Sequence, residues 1–188
     1  MREPKTMTAE QAFSRLATLC ARAEYCQHDM LERMRRWGLS NEDQAMVMQR
    51  LTEGRYVDDE RFCRAFVSDK VKYNKWGRRK VEQALWMKRI DADICRRVLD
   101  ETDTEDYAAV LRPLLQQKRR SVKASSPYEL RTKLVKWAIG RGFSMDVIRQ
   151  CIDDDDEEYA GEYGDDAYEP HADNNLEYNE DELLDEGL

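Results

Sequence analysis

The sequence predicts an all-α protein made of three tandem three-helix repeats that stack into an elongated, curved module. Helix-forming residues predominate, and the 188 residues include only 8 glycines and 4 prolines. Apolar residues recur at spacings of three and four, which is the period of a helix face. A short motif occurs three times: a basic residue or glycine, then an apolar residue, then a helix cap. Its apolar residues are Leu39, Ile90 and Phe143, so the successive copies are 51 and 53 residues apart.

The first repeat contains three predicted helices. Thr8-Ala9-Glu10-Gln11 has the pattern of a capping box and precedes an apolar stripe that runs to Cys20. A second amphipathic helix ends near Gly38, and a third starts after Ser40 and ends at Gly54.

The second repeat begins at the acidic cluster Asp58-Asp59-Glu60. Its predicted helices carry apolar stripes that start at Phe62 and at Val81, and a third helix follows the N-cap Asp91. Paired carboxylates also suit a metal site or acid–base chemistry. We favour helix capping for the cluster, because carboxylates at a helix start accept hydrogen bonds from the free N–H groups there.

The third repeat follows the same order. An apolar stripe begins at Tyr107, a second helix starts at Ser126 with proline in its first position, and the last helix starts at Ser144. Four basic residues are predicted to lie in a loop between the first two of these helices: Lys118, Arg119, Arg120 and Lys123. The predicted repeats therefore span 1–54, 55–102 and 103–152.

Charge divides the chain into two parts. The net charge is −8, but 17 of the 39 acidic residues and none of the 31 lysines and arginines lie in 153–188. The remaining 22 acidic residues leave 1–152 with a charge of +9, which favours polyanions. The acidic segment 153–188 is predicted to be disordered. It is interpreted as a solubilising tail, as an intramolecular competitor for the basic body, or as a contact for basic loops of a partner.

The five cysteines are odd in number and lack any C-x-x-C pair. They indicate reduced thiols in the cytoplasm, most of them core residues. The chain has only two histidines, so no metal site and no cofactor is predicted. The sequence also lacks the ~18-residue apolar run of a membrane span and the apolar core of a signal peptide at its start.

Cations and aromatic residues alternate after Tyr56, and a related basic set lies in the third repeat. Lysine and arginine neutralise phosphates, and Tyr73 and Trp76 are predicted to stack on unpaired bases. An ordinary solvated helix face is the competing interpretation. Trp37, Trp86 and Trp137 are predicted to lie in the core or between repeats. The predicted binding residues are Arg61, Arg64, Lys70, Lys72, Tyr73, Lys75, Trp76, Arg78, Arg79, Lys80, Arg131, Lys133 and Lys136.

Four motifs resemble those of the RecX family of bacterial regulators of the RecA recombinase. They are Tyr56-Val57-Asp58-Asp59-Glu60-Arg61-Phe62-Cys63, Trp76-Gly77-Arg78-Arg79-Lys80-Val81, Leu85 with Lys88-Arg89-Ile90-Asp91, and Arg141-Gly142-Phe143-Ser144 with Val147-Ile148. The resemblance covers roughly residues 8–152. Cys63 stands where alanine is usual in the family, and Arg89 stands where glycine is usual.

The resemblance implies a cytoplasmic, monomeric, non-enzymatic protein in DNA repair and the SOS response. Such a protein binds the RecA–single-stranded DNA filament without sequence preference and limits its growth and activity. Two alternatives stay open on the residues alone. One is a stand-alone helical-repeat protein that binds nucleic acid without a recombinase, and the other is an adaptor that binds only proteins.

Overall fold

The computed structural model describes residues 7–153, which form nine α-helices and no strand. The all-α prediction is therefore confirmed. The segment 153–188, predicted to be disordered, lies outside the described residues except for Asp153, which is the last residue of α9. The helices are α1 (Ala9–Cys20), α2 (Gln27–Arg36), α3 (Asn41–Glu53), α4 (Asp59–Lys72), α5 (Arg78–Met87), α6 (Ala92–Leu99), α7 (Thr104–Ser121), α8 (Pro127–Gly140) and α9 (Met145–Asp153). None of these helices is both long and apolar enough to cross a bilayer.

The nine helices form three groups with one packing order. The first and third helix of each group pack together, α1 on α3, α4 on α6 and α7 on α9, and the second helix packs on the third. We call the groups module 1 (α1–α3), module 2 (α4–α6) and module 3 (α7–α9). The predicted repeat boundaries and the curvature of the stack stay predictions.

Side chains cap the helices at the predicted positions. Thr8 and Gln11 form the capping box of α1, and Ser40, Asp91 and Ser126 accept hydrogen bonds from the first turns of α3, α6 and α8. Each such cap stabilises its helix by about 1 kcal/mol. The sequence therefore defines most helix starts locally.

The turn between the second and third helix has one geometry in all three modules. Its central residue adopts a left-handed conformation, with φ of 74° at Gly38, 53° at Arg89 and 88° at Gly142. The residue that follows donates its N–H to a carbonyl in the last turn of the helix, and the side chain of this residue is buried. The three backbone bonds run from Leu39 to Met34, from Ile90 to Leu85 and from Phe143 to Ala138, each 3.2 Å long. This turn is the physical cause of the sequence repeat.

α7 extends further than the sequence predicts. Lys118, Arg119 and Arg120 form its last turn, so their assignment to a loop was wrong, and only Lys123 lies in the connection to α8. Cations at a helix C-terminus interact favourably with the partial negative charge of the exposed carbonyls, which allows α7 to continue through this basic run.

The buried apolar residues form two separate cores. One fills module 1, from Ala12 to Val57. The other is continuous through modules 2 and 3 and also includes Cys26. Modules 2 and 3 therefore bury their apolar faces against each other, as stacked repeats do.

Modules 1 and 2 are joined mainly by polar contacts. The Gln27 N–H donates to Asp59 Oδ1 at 2.8 Å, Arg61 Nε donates to Glu24 at 2.7 Å, and Lys88 Nζ donates to Asp29 at 3.0 Å. Ion pairs of this partly exposed kind contribute about 0–1 kcal/mol each. Each contact between modules 1 and 2 therefore stabilises the protein less than the apolar packing between modules 2 and 3 does.

Candidate functional site

Modules 2 and 3 meet through their backbones at two glycines. The Gly77 N–H donates to the Arg141 carbonyl at 2.8 Å, and the Arg79 N–H donates to the Gly142 carbonyl at 3.0 Å. A Cβ at Gly77 would lie 2.3 Å from the carbonyl carbon of Gly142, and a Cβ at Gly142 would lie 2.5 Å from Lys80. Glycine is therefore required on both sides of this joint.

Two lysines lie over the ring of Trp76, directly before the joint. Lys80 Nζ is 4.4 Å from the ring centroid and Lys70 Nζ is 5.1 Å from it. Lys70 also lies 5.4 Å from the ring of Phe66. The α4 end and the α5 start thus hold two ammonium groups beside one half-buried indole.

Module 3 contributes a matching set. Arg141 lies 4.9 Å and Lys118 lies 5.7 Å from the ring of Trp137, which is half-buried as predicted. The two sets adjoin because the Arg141 carbonyl accepts the Gly77 N–H. We call them together the joint cluster: Lys70, Trp76, Lys80, Lys118, Trp137 and Arg141.

The sequence alone did not identify the module 3 half of the joint cluster. Lys118 was assigned to a loop, and Arg141 was interpreted only as part of a turn motif. The position of Arg141 directly before the turn residue Gly142 gives no sign of a neighbour from another module. Only the contact between the start of α5 and the α8–α9 turn places Arg141 beside Gly77, the residue that follows Trp76.

Several predicted binding residues of modules 2 and 3 are solvent-exposed. Tyr73 caps the end of α4 and is 79% exposed, and Lys72, Arg79 and Lys136 are also exposed. Lys75 is half-buried in a left-handed turn with φ of 58°, and Arg131 is half-buried on α8.

Three predicted arginines make contacts within the protein. Arg61 donates to Glu24 and to the carbonyls of Arg55 and Tyr56. Arg64 pairs with Glu60 at 2.5 Å and Glu101 at 2.9 Å. Arg78 donates to the Leu99 carbonyl at 2.8 Å and to Asp100 at 2.5 Å. Their binding role stays a prediction, and substitution of any of them also removes a structural contact.

Lys133 is another predicted residue with an internal partner. Its Nζ lies 2.6 Å from Glu129 and 2.8 Å from the Lys123 carbonyl. The lysine, together with hydrogen bonds from Ser125, lowers the pKa of Glu129 to about 2.

The acidic cluster at the start of α4 has three separate roles. Asp58 caps the helix by accepting the N–H groups of Glu60 and Arg61 at 3.0 Å, as predicted. Asp59 instead binds Gln27 of module 1, and burial raises its pKa. Glu60 pairs with Arg64 and Arg97, which lower its pKa. All three acids thus lie at the start of α4 as predicted, near the positive end of the helix, but the cap hydrogen bonds of α4 come from Asp58, while Asp59 and Glu60 bind other side chains.

Burial keeps three of the five thiols unreactive. Cys26, Cys63 and Cys95 are buried, and burial raises the pKa of Cys26 and of Cys63 to about 12. A thiol with so high a pKa is a poor nucleophile near neutral pH. Within residues 7–153, no group of three or more His, Cys, Asp or Glu side chains is arranged to hold a metal ion.

Two family models match this chain, one over each module that borders the joint. RecX, second three-helix domain, matches residues 58–99, and RecX, third three-helix domain, matches residues 105–152. The chain belongs to the RecX family. The joint cluster lies where these two RecX domains meet.

Relatives and solved structures agree with this family. Regulatory protein RecX of Chromobacterium violaceum is 27% identical over 156 residues, which are 83% of this chain and 93% of the relative. Regulatory protein RecX of Acinetobacter baylyi is 22% identical over 152 residues, or 79% and 92% of the two chains. The crystal structure of RecX from Lactobacillus salivarius has the same fold, with a TM-score of 0.71 at 15% identity over 78% of this chain and 95% of that one.

Proposed function

We propose that this RecX protein modulates, and mainly inhibits, homologous recombination and DNA repair by binding the RecA–single-stranded DNA filament. Binding would limit the growth and activity of the filament without any catalytic step. Membership in a family of regulatory proteins supports a regulator. The observation that carries the choice of a polyanionic partner is the joint cluster, where four cations from two modules gather beside two indoles.

The joint cluster suits a nucleic-acid filament on physical grounds. Cations near phosphates release condensed counterions, which gives sequence-independent affinity that falls as salt rises. Contact between each ammonium group and an indole holds the long side chain in place, so less side-chain freedom is lost on binding. The body charge of +9 supplies the long-range attraction.

The proposal is tested by neutralising cations of the joint cluster. We expect the triple variant Lys70→Gln, Lys80→Gln and Lys118→Gln to inhibit RecA ATPase turnover on single-stranded DNA more weakly than the parent. The logarithmic salt slope of binding should fall by about 2, since three phosphate contacts are lost. The matched control is Arg22→Gln, Arg36→Gln and Arg149→Gln, which removes the same charge from exposed positions elsewhere.

The outcomes separate the alternatives. Equal loss in both triple variants would mean that total charge, and not the joint cluster, determines binding. DNA binding that responds to the cluster without any effect on RecA would favour a stand-alone nucleic-acid-binding protein. Absence of salt-dependent binding in the parent would favour an adaptor for proteins only. Circular dichroism of each variant shows whether the helices are intact.

A further inference from the structure

The outward face of α5 carries a tryptophan that the core does not use. Val81, Ala84 and Leu85 form the buried face of this helix. A stripe at spacing i, i+4 and i+7 lies on the side of α5 opposite to this buried face, and it consists of Arg79, Gln83 and Trp86. Trp86 is 77% exposed, so its predicted place in the core or between repeats was wrong.

Trp86 differs from the other three tryptophans in its surroundings. Trp37, Trp76 and Trp137 are half-buried, and each has a cation over its ring. Trp86 leaves most of a large indole in water, where burial against a partner would be favourable. The adjacent Met87 is 40% exposed and widens the apolar surface.

The charge around Trp86 indicates the chemistry of its partner. Residues 73–89 contain six lysines and arginines and one acid, Glu82. Two of these cations, Arg78 and Lys88, are held by Asp100 and Asp29. The six cations outnumber Glu82, so the segment as a whole has a positive excess.

Two exposed rings lie at the two ends of this basic segment. Tyr73 is 79% exposed before the start of α5, and Trp86 lies in its last turn. Arg79 lies between them, about 10 Å along the helix axis from Trp86. Exposed rings that alternate with cations are the pattern that binds single strands, since bases stack on the rings and phosphates meet the cations.

We propose that single-stranded nucleic acid lies along the outward face of α5, with a base stacked on Trp86 and the strand backbone beside Arg79. This proposal rests on the proposed function and adds a path for the strand. Charge favours this occupant over a protein segment, because a polyanion is attracted by the excess of cations that surrounds the indole.

The test uses the full chain with a labelled thymidine oligonucleotide at low salt. We expect Trp86→Ala to weaken binding about tenfold, the order expected for the loss of one stacked base, and Trp86→Phe to retain most of the affinity. The oligonucleotide should quench indole fluorescence in the parent and much less in Trp86→Phe. Met46→Ala, which removes another exposed apolar side chain (48%) in module 1, is the control and should bind like the parent.

Three results would overturn the inference, and they bear differently on the proposed function. Unchanged oligonucleotide binding by Trp86→Ala, with weaker binding by the triple cluster variant, would overturn only the path along α5. If Trp86→Ala binds the oligonucleotide normally but no longer inhibits RecA, the outward face of α5 contacts a protein and not the strand. A parent chain that neither binds the strand nor inhibits RecA would overturn both proposals. The thermal unfolding midpoint of each variant confirms an intact fold.

Discussion

The N–H of Gly77 donates a 2.8 Å hydrogen bond to the carbonyl of Arg141, and this bond joins the start of α5 to the turn between α8 and α9. Gly77 follows Trp76, and Arg141 lies 4.9 Å from the ring of Trp137. The backbone contact therefore brings two cation–indole sets together. The motif Trp76-Gly77-Arg78-Arg79-Lys80-Val81, which was predicted to bind DNA, is therefore also the attachment point between two modules.

Gly77→Ala should destabilise the protein by about 1–3 kcal/mol, the usual cost of overpacking. The new Cβ would lie 2.3 Å from backbone atoms of Gly142 and Phe143, which have no flexible side-chain end to move. Urea denaturation measures the loss.

Gly140→Ala is the matched control, because it adds the same methyl group near the same turn with nothing within 4 Å. Alanine is the better helix former, so this variant should be unchanged or up to about 1 kcal/mol more stable. A Gly77→Ala protein as stable as the Gly140→Ala protein would show that the joint opens at little cost.

Arg89→Gly should stabilise the protein by about 0.5–1 kcal/mol. Arg89 has φ of 53°, which costs a non-glycine residue ~1 kcal/mol or more, and the extra freedom of glycine in the unfolded chain offsets part of the gain. Gly38→Ala makes the opposite change at the equivalent turn, where φ is 74°, and should cost about 1 kcal/mol. Melting temperatures of the two variants that shift in the same direction would contradict this account.

The ion pair between Glu129 and Lys133 predicts a specific dependence of stability on pH. The pKa of Glu129 is lowered from 4.5 to about 2, so its contribution is complete above about pH 4.5 and is lost as pH falls towards 2. Glu129→Gln should therefore be less stable than the parent at pH 7, and this difference should shrink between pH 4.5 and pH 2. Urea midpoints across this range give the comparison. A difference that stays constant with pH would exclude the pair as its cause.

Thiol labelling should separate the five cysteines into two classes. Cys20 and Cys151 are half-buried, whereas Cys26, Cys63 and Cys95 are buried. At pH 8 we expect an aromatic disulfide reagent to modify the first two quickly and the other three only at the rate at which the core opens. Single Cys→Ser variants assign each phase. Rapid labelling of Cys63, whose pKa is about 12, would show that module 2 opens locally.

Much of the fold could be predicted because its signals are local. Thr8, Ser40, Asp58, Asp91 and Ser126 cap the helices that follow them, and a cap needs only the next three residues. The repeat was visible for the same reason, since the turn at Gly38, Arg89 and Gly142 uses a fixed backbone geometry and one buried apolar residue after it.

The candidate site was only partly predictable. Lys70, Trp76 and Lys80 are close in sequence and were identified, whereas Lys118 and Arg141 come from another module. The same basic stretch of sequence also contains Arg61, Arg64 and Arg78. In the structure these arginines pair with Glu24, Glu101 and Asp100. A count of basic residues does not show which cations pair with a carboxylate and which lie over an indole ring.

The sequence by itself determined the helices, their caps, the three-fold repeat and the division of charge, because each depends on neighbours within a few residues. Only the tertiary structure decided which cations meet at the Gly77–Gly142 joint and which tryptophan stays in water. α5 carries apolar residues at 81, 84, 85, 86 and 87, so its pattern fits more than one buried face. α4 and α6 pack against α5, whose buried residues are Val81, Ala84 and Leu85, and this packing leaves Trp86 outside.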